Sequence, residues 1–299
     1  MPSLRARLAI FLLNRLGLWR PWVSEDTLRP YLARLRSKPL AAPVPRRNLA
    51  VTKTLREGRE IFRIAPGSRR AGKILYIHGG AYVEPAVGPH WTFIARLAGA
   101  LGLEFIVPRY PLAPESDVGT TMPFMLALYR EIIREDAPVI VMGDSAGGGL
   151  ALALLQEARE QGLVMPAGLV MISPWLDGTM SAPEQARIEP HDVMLRRAGL
   201  LAAARWYAGA LPLEHRWISP VNGPLEGLPP MLMLGSDCDL LVTDMRHLAE
   251  RAKSANAPLD YEEVSGLCHT WPLVPLPFPE AAAGRRRIET FVRQRLSET

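Results

Sequence analysis

The chain predicts an α/β architecture: a mostly parallel sheet with helices on both faces and a helical cap. Three observations lead there. From Asn48 onward β-like runs and helix-like segments take turns, which is the pattern of a sheet covered on both sides. The stretch from Leu176 to Pro220 breaks that rhythm, holding a long helical candidate at 195–210 and no convincing strand. The length of 299 residues suits one α/β domain with a cap and does not require two domains.

In chain order, residues 1–47 read as N-terminal cap helices that end in a linker at 41–47, marked by Pro43 and Pro45. Residues 48–299 read as the main α/β body, with the cap insertion at about 176–220. Within the body, 49–55 and 60–64 form a hairpin around Glu57-Gly58-Arg59, and 73–77 is a buried strand. Further strands fall at 105–107, 139–142, 169–172, 231–234 and 261–264, which brings the number expected to eight. Helices are expected at 91–101, 122–135, 150–161, 244–254 and 282–296. An insertion placed as 176–220 is sits over the carboxyl ends of the strands, where open α/β sheets bind ligands.

With 48% hydrophobic and 22% charged residues and no apolar run near ~20 residues, the chain reads as a soluble globular protein without a membrane span. Its net charge of +5 is local, because residues 1–50 carry ten Arg or Lys against Glu25 and Asp26. No nucleic-acid partner is expected. The basic, apolar stretch 4–22 reads as a cap helix, with a peripheral membrane contact as the alternative. Asn14-Arg15 interrupts its apolar run and no A-x-A-like cleavage site follows, so secretion is not expected. Two cysteines, Cys238 and Cys268, are too few for a disulfide framework, which fits a cytoplasmic location.

The chemistry is carried by two short motifs. Gly143-Asp144-Ser145-Ala146-Gly147 has the G-x-S-x-G spacing of a serine on a tight strand-to-helix turn, where small neighbours give clearance. His78-Gly79-Gly80-Ala81 follows a strand and lets backbone N–H groups approach a substrate, making Gly79, Gly80 and Ala146 the expected oxyanion donors. A serine needs a base, and His269 follows the last strand in a loop opened by Ser265-Gly266. His78 belongs to the glycine motif, while His90, His191, His215 and His247 are read as solvated surface side chains. Asp239 is the expected acid; Asp237 is read as a turn carboxylate and Asp244 as the N-cap of the next helix. Tyr82, Trp175 and Trp271 are proposed walls of a substrate pocket, core packing being the alternative for each. Cys238 and Cys268 each adjoin a triad member, which raises the idea of an oxidation-sensitive pair.

At these residues the sequence resembles the hormone-sensitive-lipase-like (family IV) esterase branch of the α/β-hydrolase fold. The resemblance rests on His78-Gly79-Gly80-Ala81-Tyr82, Tyr110-Pro111-Leu112-Ala113-Pro114-Glu115 and Gly143-Asp144-Ser145-Ala146-Gly147-Gly148, with Ser173-Pro174-Trp175 and Ser219-Pro220 in support. Ala81 stands where a third glycine is commoner and Pro111 where arginine is usual. The resemblance implies an eight-stranded α/β-hydrolase and a carboxylesterase for short to medium acyl chains. It also implies Ser145 as nucleophile, His269 as base, Asp239 as orienting acid, no metal or organic cofactor, and a homodimer through the final strand's edge. Amide hydrolysis or deacetylation by the same triad, interfacial lipolysis, and a ligand-binding role on a hydrolase scaffold are the competing readings.

Overall fold

The computed structural model describes residues 1–43, 48–68 and 71–298. At its centre lies one sheet, of eight strands among the described residues. Strands β1 (Leu49–Arg56) and β2 (Arg59–Pro66) form the expected hairpin, turning through Glu57 and Gly58 at φ 48° and 75°. Two left-handed residues give a turn whose twist matches that of the flanking strands. β2 is antiparallel to β4 (Glu104–Pro108). From β4 through β3 (Lys73–Ile77), β5 (Val139–Asp144), β6 (Gly168–Ile172), β7 (Met231–Ser236) and β8 (Leu259–Val264), each pairing is parallel.

Alternation along the strands divides the apolar side chains between two cores. Leu75, Ile77, Val141, Leu169, Met171 and Met233 pack with helices α4 (Val118–Ile132), α5 (Ala146–Glu160) and α8 (Val242–Ser254). Ile74, Tyr76, Ile140, Met142, Val170 and Ile172 face the other way, against α3 (Gly88–Leu101) and α9 (Pro279–Ser297). Strands β5, β6 and β7 are buried along their whole length, as central parallel strands are.

The N-terminal residues form α1 (Leu4–Leu16), a tight turn at Arg20–Val23 and α2 (Glu25–Arg36), whose start is closed by a Ser24/Thr27 capping box. The 176–220 region supplies α6 (Gln185–Ile188) and α7 (Arg197–Ala208). These two pieces pack on each other through Trp22 and the α7 residue Gly199, and both contribute side chains to the cavity that holds Ser145 and His269. The expected linker at 41–47 lies partly outside the described residues; within them, the Ala41 carbonyl accepts a hydrogen bond from Arg109 at 2.8 Å.

Register fixes where the loops emerge. Ile77 pairs with Gly143, Asp144 with Ile172, Ile172 with Leu234 and Ser236 with Val264. The segments that carry His78, Ser145, Ser173, Asp239 and His269 therefore leave the sheet along one edge, beneath the cap. The close crossing of α5 over β3 requires Gly147, because a Cβ there would sit inside van der Waals contact of the Ile77 carbonyl. Gly147→Ala is expected to cost about 3 kcal/mol or more in a urea unfolding experiment, in line with overpacking against rigid backbone. A change below about 0.5 kcal/mol would show that the crossing tolerates a side chain.

Candidate active site

Ser145 occupies the reversal between β5 and α5 at φ 52°, ψ −126°, a backbone conformation that costs about 1–3 kcal/mol for a residue with a side chain. Its neighbours hold it there. The Ser145 N–H donates to the Ile172 carbonyl at 2.8 Å, and its carbonyl accepts from Trp175 N at 2.9 Å and from Gly149 N at 3.1 Å. Gly143 supplies the expected clearance, a Cβ there being blocked by the Gly147 carbonyl.

His269 and Asp239 meet from the loops after β8 and β7. His269 Nδ1 donates to Asp239 Oδ2 at 2.8 Å, so the ring proton sits on Nδ1 and the Nε2 lone pair is left free. Asp239 is fully buried, and its other oxygen accepts from Leu241 N at 3.0 Å. Burial disfavours the imidazolium of His269, but the charge and hydrogen bond of Asp239 outweigh it, so its pKa lies above the ordinary 6.5. The two loops are clasped by Ser236, whose hydroxyl donates to the Leu267 carbonyl at 2.8 Å and accepts from Leu267 N at 3.0 Å. Ser173 links them to the surroundings of Ser145, accepting from Thr270 N at 3.0 Å.

Ser145 and His269 line one cavity of about 350 Å³. Its cap side is apolar, built from Leu13, Leu18, Trp22, Met194, Leu195 and Leu200. Opposite them lie Gly80, Ala81, Glu84 and His90. Tyr31 reaches in from α2 beside Glu84, whose carboxyl is raised above its ordinary pKa by burial.

Below Ser145 lies a buried charge. Asp144 is 2% exposed and accepts from Tyr76 Oη at 2.5 Å and Gly79 N at 3.1 Å, with His90 Nε2 at 3.2 Å. Because His90 Nδ1 accepts from Val87 N at 3.1 Å, the proton lies on Nε2, facing Asp144. Burial opposes ionisation of Asp144, yet the electrostatic pull of the neighbouring His90 and the hydrogen bonds from His90 and Tyr76 hold its carboxyl below the ordinary range. His90 is thus a buried partner of Asp144 and not the solvated surface residue expected. His191 and His247 are exposed, and His215 is half-buried.

Further expectations change with the geometry. Gly79 spends its N–H on Asp144, so it is not available as an oxyanion donor; Gly80 and Ala81, the next residues of the motif, line the cavity instead. Asp244 does not cap α8, which begins at Val242; it lies buried in the first turn, with burial pushing its carboxyl well up. Tyr82, Trp175 and Trp271 are core residues and not walls. Tyr82 stacks on Tyr207 at 3.8 Å between centroids and on Trp175 at 5.5 Å, and Trp271 packs against Gly284 of α9. Asp237 does hold a turn, accepting from Ser265 Oγ at 2.7 Å and Gly266 N at 2.6 Å. Cys238 and Cys268 are free, and burial pushes the Cys238 thiol up to about 11 and the Cys268 thiol to about 12, which leaves almost no thiolate to oxidise at neutral pH.

One site residue left no signal in sequence spacing. Asp192, from the cap insertion, is 3% exposed and accepts from Met194 N (2.7 Å), Leu195 N (2.9 Å) and Leu240 N (2.9 Å). It ties the cap to the loop that bears Asp239. Burial, then the charge of Asp239, pushes its pKa up to about 6. Among the described residues no group of three or more His, Cys, Asp or Glu is arranged to hold a metal ion.

His78 shows how the glycine motif is propped. Its ring stacks on Tyr110 at 4.5 Å, its Nδ1 donates to the Gly79 carbonyl at 2.7 Å, and Tyr110 Oη donates to the His78 carbonyl at 2.8 Å. Burial, with the neighbouring His90, pulls its pKa down to about 4. An NMR titration should find the His78 imidazole unmoved between about pH 5.5 and 8; a midpoint near the ordinary histidine value of about 6.5 would contradict the buried placement.

Comparison with known proteins places these features in context. The sequence profile of a family described as the alpha/beta hydrolase fold matches residues 74–273. An acetyl-hydrolase of Streptomyces hygroscopicus is 32% identical over 76% of this chain and 76% of its own. An esterase of Acinetobacter venetianus is 29% identical over 73% of each. Among solved structures, an esterase from the bacterial hormone-sensitive lipase family superposes with a TM-score of 0.85 at 27% identity, covering 99% of both chains.

Proposed function

Because this chain belongs to the α/β-hydrolase family, in its hormone-sensitive-lipase-like branch of ester hydrolases, we propose that it is a carboxylesterase for small esters of short to medium acyl chains. The observation that carries this reading is the Asp239–His269 hydrogen bond, which leaves Nε2 as a base at a cavity also lined by Ser145.

In the proposed reaction His269 Nε2 takes the Ser145 hydroxyl proton as Oγ attacks the ester carbonyl. The oxygen of the tetrahedral intermediate is met by the N–H groups of Gly80 and Ala81 and by that of Ala146, at the N-terminus of α5, where the helix dipole also favours negative charge. His269 then protonates the departing alcohol and activates the water that releases the acid. A cavity of about 350 Å³, apolar on its cap side, suits a short or medium acyl chain.

Hydrolysis of p-nitrophenyl esters from acetate to palmitate should peak at short or medium length. Ser145→Ala should lower kcat by about 10⁴-fold or more, and retention of most activity would remove Ser145 from the mechanism. Matched p-nitroanilides should react far more slowly; a preference for them would turn the reading to an amidase.

The pH profile follows from the base. His269 works only when neutral, and Asp239 raises its pKa above 6.5, so kcat should climb with pH through a midpoint above that value. Asp239→Asn removes the charge that favours the imidazolium. The midpoint should then move down, while kcat falls about 10³-fold or more. An unshifted acid limb would sever the link between the two residues.

A further inference from the structure

Helix α1 is apolar on both sides, yet the protein covers only one of them. Ala6 and Ala9 are buried, and Ile10 and Leu13 are half-buried against the body. On the opposite side Leu4 (74% exposed), Leu8 (57%), Phe11 (53%), Leu12 (45%) and Leu16 (68%) form a continuous stripe at i, i+4 and i+7 spacing. Among the described residues, the exposed large apolar side chains outside residues 1–23 are Leu40, Leu55 and Val164, so this concentration belongs to the N-terminal segment. Apolar side chains on both sides of one helix leave its free side to be covered by a second partner.

Charge indicates what that partner is. Residues 1–24 contain Arg5, Arg7, Arg15 and Arg20, all exposed, and no Asp or Glu. In projection Arg5 and Arg15 lie within the apolar stripe and Arg7 at its flank, with the Arg15 guanidinium 5.2 Å from the Phe11 ring centroid. A second copy docked by two-fold symmetry would set these arginines against their own kind. An anionic lipid surface accepts both the apolar stripe and the guanidinium groups. The site also lies next to the catalytic cavity: Leu18, 40% exposed, lines that cavity together with Leu13 of α1. Among the described residues no helix is long and apolar enough to cross a membrane, so the contact is peripheral.

We propose that α1 docks this protein on anionic lipid surfaces, laying the Leu4/Leu8/Phe11/Leu12/Leu16 stripe into the interface with the cavity mouth beside it. The contact is a binding property and does not depend on which bond Ser145 attacks.

The test is co-sedimentation of the full chain with vesicles of equal parts phosphatidylglycerol and phosphatidylcholine, beside vesicles of phosphatidylcholine alone. The protein should pellet with the anionic vesicles, weakly or not at all with the zwitterionic ones, and detach as salt rises towards about 1 M, where the screening length is ~3 Å. Leu8→Ser/Phe11→Ser/Leu12→Ser, three positions outside the cavity, should lower the vesicle partition coefficient at least about tenfold. The same variant should keep its helical circular dichroism and its rate on a soluble p-nitrophenyl ester. Arg5→Gln/Arg7→Gln/Arg15→Gln should weaken binding to the anionic vesicles selectively. Wild-type protein that stays in the supernatant, or a Ser variant that binds as well as wild type, overturns the proposal. So does a dimer, seen by light scattering, that the Ser substitutions dissolve, because the stripe would then be an interface between copies.

Discussion

The reversal at Ser145 is the constraint from which the rest of the site follows. A non-glycine residue held at φ 52° persists only if its surroundings leave no relaxed alternative, and here they come from three directions. Gly143 and Gly147 let β5 and α5 close on each other, the end of β6 holds the Ser145 N–H, and Trp175 holds its carbonyl. Each of these contacts depends on neighbouring parallel strands ending in register. The strained turn is therefore a property of the sheet as much as of the five-residue motif.

Beneath the turn the structure manages a concentration of buried carboxylates. Asp144, Asp192 and Asp239 are each at most 3% exposed, and a buried charge without partners would be strongly destabilising. Each accepts several N–H or O–H donors, and the partnerships cross element boundaries. Asp144 joins β3, the glycine loop and α3; Asp192 joins the cap insertion to the Asp239 loop; Asp239 joins β7 to the His269 loop. Polar groups buried in this way fix the loops relative to one another, which is what the proposed reaction needs from a site whose parts lie far apart in sequence. The glycine loop illustrates the division of labour: Gly79 anchors to Asp144, which leaves Gly80 and Ala81 facing the cavity.

Two distant pieces of chain, the N-terminal helices and the 176–220 segment, line the cavity together. Trp22 lies against Gly199, Tyr31 stands beside Glu84, and Arg36 donates to the Val83 carbonyl at 2.7 Å. The N-terminal segment therefore helps to shape the cavity as well as to cover it. Aromatic residues expected at the cavity stand instead behind it, with Tyr82 between Tyr207 and Trp175 supporting the loop from the core side.

The sequence by itself determined the features that are local in the chain. All eight strands, the hairpin turn and the interruption at 176–220 were legible because side-chain periodicity and turn residues act over a few positions. Ser145 in its motif was legible for the same reason, as was His269 from its place after the last strand. Asp239 was singled out from its two near neighbours because Asp237 suits a turn and Asp244 a helix start. What tertiary structure alone decided are the pairings over long separations: His90 with Asp144 at 54 residues, Tyr76 with Asp144 at 68, and Asp192 with Leu240 at 48. No spacing rule encodes these, because they arise where strand register and cap packing bring unrelated segments together. The same holds for Trp175 and Trp271, whose apolar rings suit a core as well as a pocket wall. Which of the two they became was set by what folded against them.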